Sequence, residues 1–263
     1  MTSSLPEFDL DGRLVIVTGA SDGIGKAFAL SFSRAGAEVV LISRSREKLS
    51  QTQQLIANAG GIGHVISADL SSVDQVLALP KRVEEILDGR QPKLVLINNA
   101  GFGFTKPAIE VTESDWDKLL DLQLKGTFFV CQAFGKMMIE RGYGKIVNLS
   151  STWSASTDMG KSVYGAAKAG VSYLTAALST EWARHGVRVN AIAPTTTLSE
   201  NTKQSLSDNP ERAKILLGRI MLGRFAEPED LLGAAIFLAA TASDFITGQT
   251  LFVDGGWNAL GSR

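Results

Sequence analysis

The chain has 263 residues, 44% hydrophobic and 20% charged, and its 26 Lys and Arg against 27 Asp and Glu leave a formal charge of -1. That balance excludes a disordered chain and carries no signal for nucleic acid or another polyanion. About three quarters of the surface of a chain this long can be buried, and the single Cys131 excludes an internal disulfide or a cysteine zinc cage, so the core must hold without staples.

Met1 to Arg13 contains Glu7, Asp9 and Asp11 and lacks the basic and apolar stretches of a secretory leader. It reads as an N-terminal extension over 1–12, ahead of one catalytic domain over 13–263. The longest apolar run, Leu231 to Ala240 with Gly233 inside it, is far short of the roughly 20 residues that span a bilayer. A cytoplasmic protein with no membrane partner is expected. Short β-branched runs then recur at Leu14–Val17, Val39–Ile42, His64–Ile66, Leu94–Ile97, Lys145–Asn148, Val187–Asn190 and Thr250–Val253, separated by longer stretches of helical period. Strands alternating with helices imply parallel pairing through right-handed crossovers. The expectation is an α/β fold, a single doubly wound domain with a seven-stranded parallel sheet and helices on both faces.

The first strand runs into Thr18-Gly-Ala-Ser-Asp-Gly-Ile-Gly25 and a helix beginning near Ile24. Gly19 can take the tight turn, Gly23 lets backbone approach a pyrophosphate, and Gly25 lets the helix pack on the sheet, with Ser21, Asp22 and Ile24 beside them. The helix N-terminus would meet the phosphates. A plain turn is the alternative. At the end of the second strand, where a carboxylate would bind the ribose hydroxyls of NAD, stand Ser43 and Arg44. A guanidinium there can hold a 2′-phosphate, so NADP(H) is favoured and NAD(H) remains open. The competing reading is a solvated arginine beside Arg46 and Lys48, and Asp22 adds unfavourable negative charge.

Farther along, Asn98-Asn-Ala-Gly101 follows the fourth strand, Ser150-Ser151 follows the fifth, and Tyr164-Gly-Ala-Ala-Lys168 opens a helix with the stripe Val163, Ala167, Val171, Leu174, Leu178 and Trp182. The i, i+4 spacing puts phenol and ammonium on one face. A phenol that titrates near neutrality needs about 4 kcal/mol of preferential phenolate stabilisation, which a lysine and a nicotinamide cation can supply. Alone, such a pair is most simply a helix-surface pair. In company with the glycine turn and the groups after the fourth and fifth strands it lies where open α/β sheets bind ligands.

At these residues the chain resembles the short-chain dehydrogenase/reductase family, from about Arg13 to Trp257. The match comprises Thr18 to Gly25, Asp69-Leu70, Asn98 to Gly101, Ser151 followed thirteen residues on by Tyr164, Lys168, and Arg188-Val-Asn-Ala-Ile-Ala-Pro194. The resemblance implies a Rossmann fold and an oxidoreductase that moves a hydride between nicotinamide and a secondary alcohol or ketone. Ser151 would hold the reacting oxygen, Tyr164 would exchange its proton, and Lys168 would lower the tyrosine pKa and hold the nicotinamide ribose. Asp69 and Leu70 would lie near the adenine, Asn99, Ala100 and Gly101 beside the cofactor, and Pro194 and Thr197 at the carboxamide. Two departures stand out: Gln123 in the position of a usual asparagine that anchors a water in the proton relay, and Thr195 where the family has a glycine after the proline.

His64 and His185 read as surface or capping residues, Cys131 as a core helix residue, and no cluster has metal-ligand spacing, so no metal is expected. Phe102, Phe104, Trp153 and Met159 are candidates to line a substrate pocket. Residues about 198–222 sit where similar enzymes carry a mobile substrate lid. The segments Lys106 to Glu110, Arg141 to Asn148 and Ser207 to Glu211 resemble gluconate 5-dehydrogenases and recur among 3-oxoacyl carrier-protein reductases. A sugar acid or similar polar carbonyl compound is thus the expected small-molecule substrate, with an acyl thioester as the alternative. A third reading, supported by Gln123 and Thr195, is a cofactor-binding sensor or assembly subunit impaired in catalysis. Similar proteins are commonly homotetramers that pair through helices corresponding to Thr112–Glu140 and Lys161–Arg184 and through the C-terminal strand.

Overall fold

Each β-branched run becomes a strand because its alternate side chains find apolar cover on opposite faces. The computed structural model describes residues 8–259, so residues 1–7 of the expected extension and 260–263 lie outside the description. The strands are β1 (Arg13–Thr18), β2 (Glu38–Ser43), β3 (Gly63–Ser67), β4 (Lys93–Asn98), β5 (Gly144–Leu149), β6 (Val187–Pro194) and β7 (Thr250–Val253). They form one seven-stranded sheet in the order β3-β2-β1-β4-β5-β6-β7, and every neighbouring pair is parallel. The chain belongs to the doubly wound class that its strand-helix alternation predicts.

One face carries Leu14, Ile16, Leu94 and Leu96 against Phe134 and Met138, under α3 (Val73–Leu77), α4 (Leu79–Leu87), α6 (Thr127–Glu140) and α7 (Ser162–Trp182). The other carries Val15, Val17, Val95 and Ile97 against Phe28, Phe32 and Leu238, under α1 (Gly23–Arg34), α2 (Arg46–Asn58) and α10 (Leu232–Ala239). Each large side chain buried this way contributes about 1.5–3 kcal/mol of transfer free energy. The strand order reverses between β1 and β4, so the crossovers from these neighbours leave in opposite directions and open a crevice beyond their carboxyl ends.

The helix expected over 112–140 has a more particular form. A Thr112–Asp115 capping box starts α5 (Glu113–Leu120), a π-helical segment Asp121–Gly126 follows, and α6 completes it. The wider turn buries Gln123 and Gly126; a Cβ on Gly126 would come within 2.5 Å of the Leu70 carbonyl, so the bulge is pressed on the loop after β3. The expected lid segment is two helices, α8 (Glu200–Asp208) and α9 (Pro210–Gly218). Asn209 divides them, its side chain capping α9 through the Arg212 amide while Pro210 occupies the first helical position. Among the described residues no helix is long and apolar enough to cross a membrane.

The N-terminal boundary differs from its sequence expectation. Residues 8–12 are part of the domain: Leu10 is fully buried among Phe28, Phe32 and Ala37, its amide donates to the Ala35 carbonyl at 2.8 Å, and Phe8 lies 6.2 Å from Phe237, ring to ring. One buried leucine between acidic residues has no periodicity to announce it. Leu10→Ala is expected to destabilise the protein by about 2–5 kcal/mol in chemical denaturation, whereas removal of a detached extension would leave the midpoint unmoved.

Candidate active site

The glycine turn is shaped by two residues in the left-handed region, Gly19 at φ 66° and Gly23 at φ 50°, a conformation that side chains with a Cβ disfavour. Close approach adds a second constraint, since a Cβ on Gly19 would lie 2.8 Å from Asn99 Nδ2 and one on Gly25 would meet the Gly19 carbonyl. Asp22 caps α1 by accepting from the Gly23 amide at 2.7 Å, and Lys48 from α2 stands 3.5 Å from its carboxylate. The negative charge that counted against a phosphate site is therefore offset locally.

Thr18 joins this turn to the loop after β4. Its hydroxyl accepts from the amides of Asn99 (3.0 Å) and Ala100 (3.1 Å) and donates to the Ile97 carbonyl. Asn99 Nδ2 returns the tie by donating to the carbonyls of Thr18 and Gly19. Asn98 is engaged elsewhere, with Asn148 at 2.9 Å and the Cys131 sulfur at 3.1 Å. Burial pushes the Cys131 thiol up to about 12.

Beyond β2, the Ser43 hydroxyl is buried with no hydrogen-bond partner, and Arg44 is exposed. Asp69 accepts from the amide and hydroxyl of Ser71; these bonds, with Arg44 contributing, hold its carboxyl below the usual range against the cost of burial. At the far side of the crevice, Thr195 Oγ1 is likewise buried and unpartnered, while Thr197 donates to the Thr195 carbonyl at 3.0 Å. Thr195 has no positive φ, so the threonine in place of glycine is accommodated without strain. An orphaned buried hydroxyl costs about 1–3 kcal/mol. Those at Ser43 and Thr195, with the glycine turn between them, fit a polar ligand laid across the strand ends, as a dinucleotide is.

Ser151, Tyr164 and Lys168 come together after β5 and in the first turns of α7. The Ser151 hydroxyl acts on the Tyr164 phenol in the sense that favours its ionised form, and its oxygen accepts from the Trp153 amide at 3.3 Å. Ser150 faces a different neighbour, donating to the Lys168 carbonyl and pairing with Ser172. Lys168 Nζ donates to the Leu149 carbonyl at 2.8 Å and lies 5.7 Å from the Tyr164 ring centroid. Tyr164 packs between the Trp153–Leu216–Ile220–Trp257 cluster and one containing Phe102, Phe104 and Leu119. That apolar seat changes the electrostatics expected from the spacing. Burial pushes Tyr164 up to about 12, opposed by the Ser151 hydroxyl, and pushes Lys168 down to about 8. Among the protein's own groups desolvation thus outweighs the depression expected from Lys168, because its ammonium is drawn to Leu149.

Gln123 lies in the π segment. Its Nε2 donates to the Phe102 carbonyl at 2.7 Å, and its Oε1 is buried without a partner, close to where a Cβ of Gly101 would stand. The longer side chain thus braces the loop after β4. Phe102, Phe104 and Trp153 flank Tyr164, whereas Met159 is 85% exposed. His64 pairs with Glu38 at 2.6 Å, remote in sequence and partners from these groups. Sequence reasoning missed a charged cluster beside the phenol: Lys161, Asp158, Arg212 and Arg219. The available signal was the seven-residue spacing of the two arginines, which returns them to one face of a helix.

The chain is similar to known proteins along nearly its whole length. A family model described as Enoyl-(Acyl carrier protein) reductase matches residues 19–258. The chain is 37% identical to a 2-dehydro-3-deoxy-D-gluconate 5-dehydrogenase of Escherichia coli (strain K12), covering 97% of this chain and 99% of that one. It is 39% identical to a gluconate 5-dehydrogenase of Gluconobacter oxydans (strain 621H), over 95% and 96% of the two chains. Among solved structures, a gluconate 5-dehydrogenase from Burkholderia cenocepacia J2315 in complex with NADP and tartrate matches with a TM-score of 0.90 at 35% identity, over 97% and 98%.

The tie at Thr18 has a measurable weight. Thr18→Val keeps the shape and leaves the Asn99 and Ala100 amides without their acceptor, so stability should fall by about 2–4 kcal/mol in denaturant titration; a change below about 0.5 kcal/mol would show that the tie carries no load.

Proposed function

The chain belongs to the short-chain dehydrogenase/reductase family of NAD(P)-dependent oxidoreductases acting on CH–OH groups, and from that premise we propose that it interconverts a secondary alcohol and a ketone on a sugar acid or similar polar compound, with NADP(H) preferred. The observation that carries the chemistry is the convergence of Ser151 and Tyr164, with Lys168 buried one turn farther along α7. The substrate class draws on the sugar-acid relatives, and the cofactor on Arg44 and on the NADP in the Burkholderia structure.

Ser151 and Tyr164 would together grip the substrate oxygen. In reduction Tyr164 gives its proton to that oxygen, and a phenol held protonated by burial is already in the donor form. In oxidation the phenolate takes the proton back, and the positive charge of Lys168 favours that state. Bound NADP(H) supplies or accepts the hydride at the same carbon. Gly19, Ser21, Asp22, Gly23, Ile24 and Gly25 would cradle its phosphates, Ser43 and Arg44 its 2′-phosphate, Asp69 and Leu70 the adenine side, and Asn99, Ala100, Gly101, Pro194 and Thr197 the nicotinamide side. Gln123 acts as a positioning residue through the Phe102 carbonyl. Residues 198–222 would cover the bound substrate. The exposed Phe245, Leu251 and Phe252 at the C-terminal strand, with the open groove between α6 and α7, support a homotetramer.

Turnover separates the readings. NADPH oxidation should be faster with 5-ketogluconate than with acetoacetyl thioesters, and Tyr164→Phe should lower kcat by about 10²–10⁴-fold. Preference for the thioester would establish the acyl-reductase reading. No turnover of any sugar-type substrate would overturn the sugar-acid reading, and no turnover of thioesters either would return the sensor reading; a Tyr164→Phe enzyme as fast as the parent would overturn the chemistry assigned to Tyr164. Arg44→Ala should weaken NADPH binding about 10–100-fold with NADH little changed; equal loss for both would refute the role given to Arg44.

A further inference from the structure

Lys161 stands three residues before Tyr164, at the entry to α7, and among the described residues no carboxylate pairs with it directly. Its Nζ donates to the Phe104 carbonyl at 3.0 Å and to Thr105 Oγ1 at 2.6 Å, both neutral acceptors, which leaves one N–H free. Among the described residues it makes no ion pair. Burial pushes its pKa down to about 8, with Arg212 acting in the same direction and Asp158 against it. The ammonium lies 5.3 Å from the Tyr164 ring centroid and 5.8 Å from that of Trp153.

The surroundings add positive charge. Asp158 is held by Arg212 at 2.6 Å and approached by Arg219 at 3.9 Å, and the Arg219 guanidinium stacks 4.2 Å from the Trp257 ring. Burial works against the Asp158 charge, yet Arg212, the Met159 amide and Arg219 hold its carboxyl below the usual range. Three cations thus face one carboxylate. A cleft of about 560 Å³ borders the ammonium on the side of Trp153, Asp158 and Gly160, while the Tyr164 ring, outside that lining, lies 5.3 Å from the same ammonium. A half-buried cation beside open volume is stabilised by whatever anion enters.

We infer that Lys161, backed by Arg212 and Arg219, is the subsite for the substrate carboxylate, so that anionic sugar acids are selected over neutral polyols of the same length. The inference rests on the reading that Ser151 and Tyr164 hold the reacting oxygen, and it gives that reading its anchor at the other end of the molecule. The ammonium stands 5.3 Å from the Tyr164 ring centroid, a separation of the order of the length of a six-carbon acid. Because Arg212 and Arg219 come from α9 and the segment after it, the anchor is completed by the same helices that cover the site.

The test compares gluconate with sorbitol, which differs by lacking the carboxylate, on the full-length NADP-loaded enzyme. Binding is read by tryptophan fluorescence and turnover by kcat and KM. Lys161→Gln should raise the gluconate Kd about 10–100-fold, and its KM with it, while kcat, sorbitol binding and NADPH affinity stay within about two-fold, and Lys161→Arg should restore most of the loss. A gluconate Kd unchanged in Lys161→Gln, equal losses for gluconate and sorbitol, or a parent enzyme that does not bind gluconate would each overturn the subsite. Gluconate bound through Lys161 but never oxidised would uphold the subsite and defeat the proposed activity instead.

Discussion

Two backbone amides after β4 point at one hydroxyl at the end of β1, and the geometry of the crevice follows from that meeting. Thr18 and Asn99 are 81 residues apart in sequence, and their ends must sit at one level for the reversal of strand order to make a usable site. With Asn99 Nδ2 held by the Thr18 and Gly19 carbonyls, neither the glycine turn nor the loop from Asn99 to Phe102 can drift. Gln123 fixes the far end of that loop. The two loops that frame the ligand crevice are thus braced from the sheet on one side and from the π segment on the other.

The region around Tyr164 obeys a different constraint. Apolar packing on both sides removes water from a phenol and from Lys168, and desolvation drives an acid and a base in opposite directions toward their neutral forms. The phenol is therefore held protonated by its surroundings, and its ionisation needs added positive charge or water beside it.

Much of this was legible in the sequence because its signals are local. The strands announce themselves by β-branched runs, the glycine turn by three glycines within seven residues, and Tyr164 and Lys168 by one helical turn. What stayed hidden depends on partners distant along the chain. Lys48 offsets Asp22 only once α2 is folded beside α1, and Asp158 meets Arg212 only when α9 lies over the loop after β5. Leu10 was invisible for a related reason, since a single buried residue makes no pattern. The π turn at Asp121–Gly126 left no periodic trace either, because one extra residue in a helix is smaller than the tolerance of the apolar stripe.

The packing of α6 against the sheet also decides how the protein meets oxidants. Cys131 is the only cysteine in the chain, fully enclosed, hydrogen-bonded to Asn98 and Asn148, and held as a thiol by burial at about 12. Thiolate is the reactive form in alkylation, disulfide exchange and peroxide oxidation, and burial holds Cys131 in the thiol form at neutral pH. The crevice beyond the strand ends can therefore face shifting thiol–disulfide poise without a reactive thiol of its own.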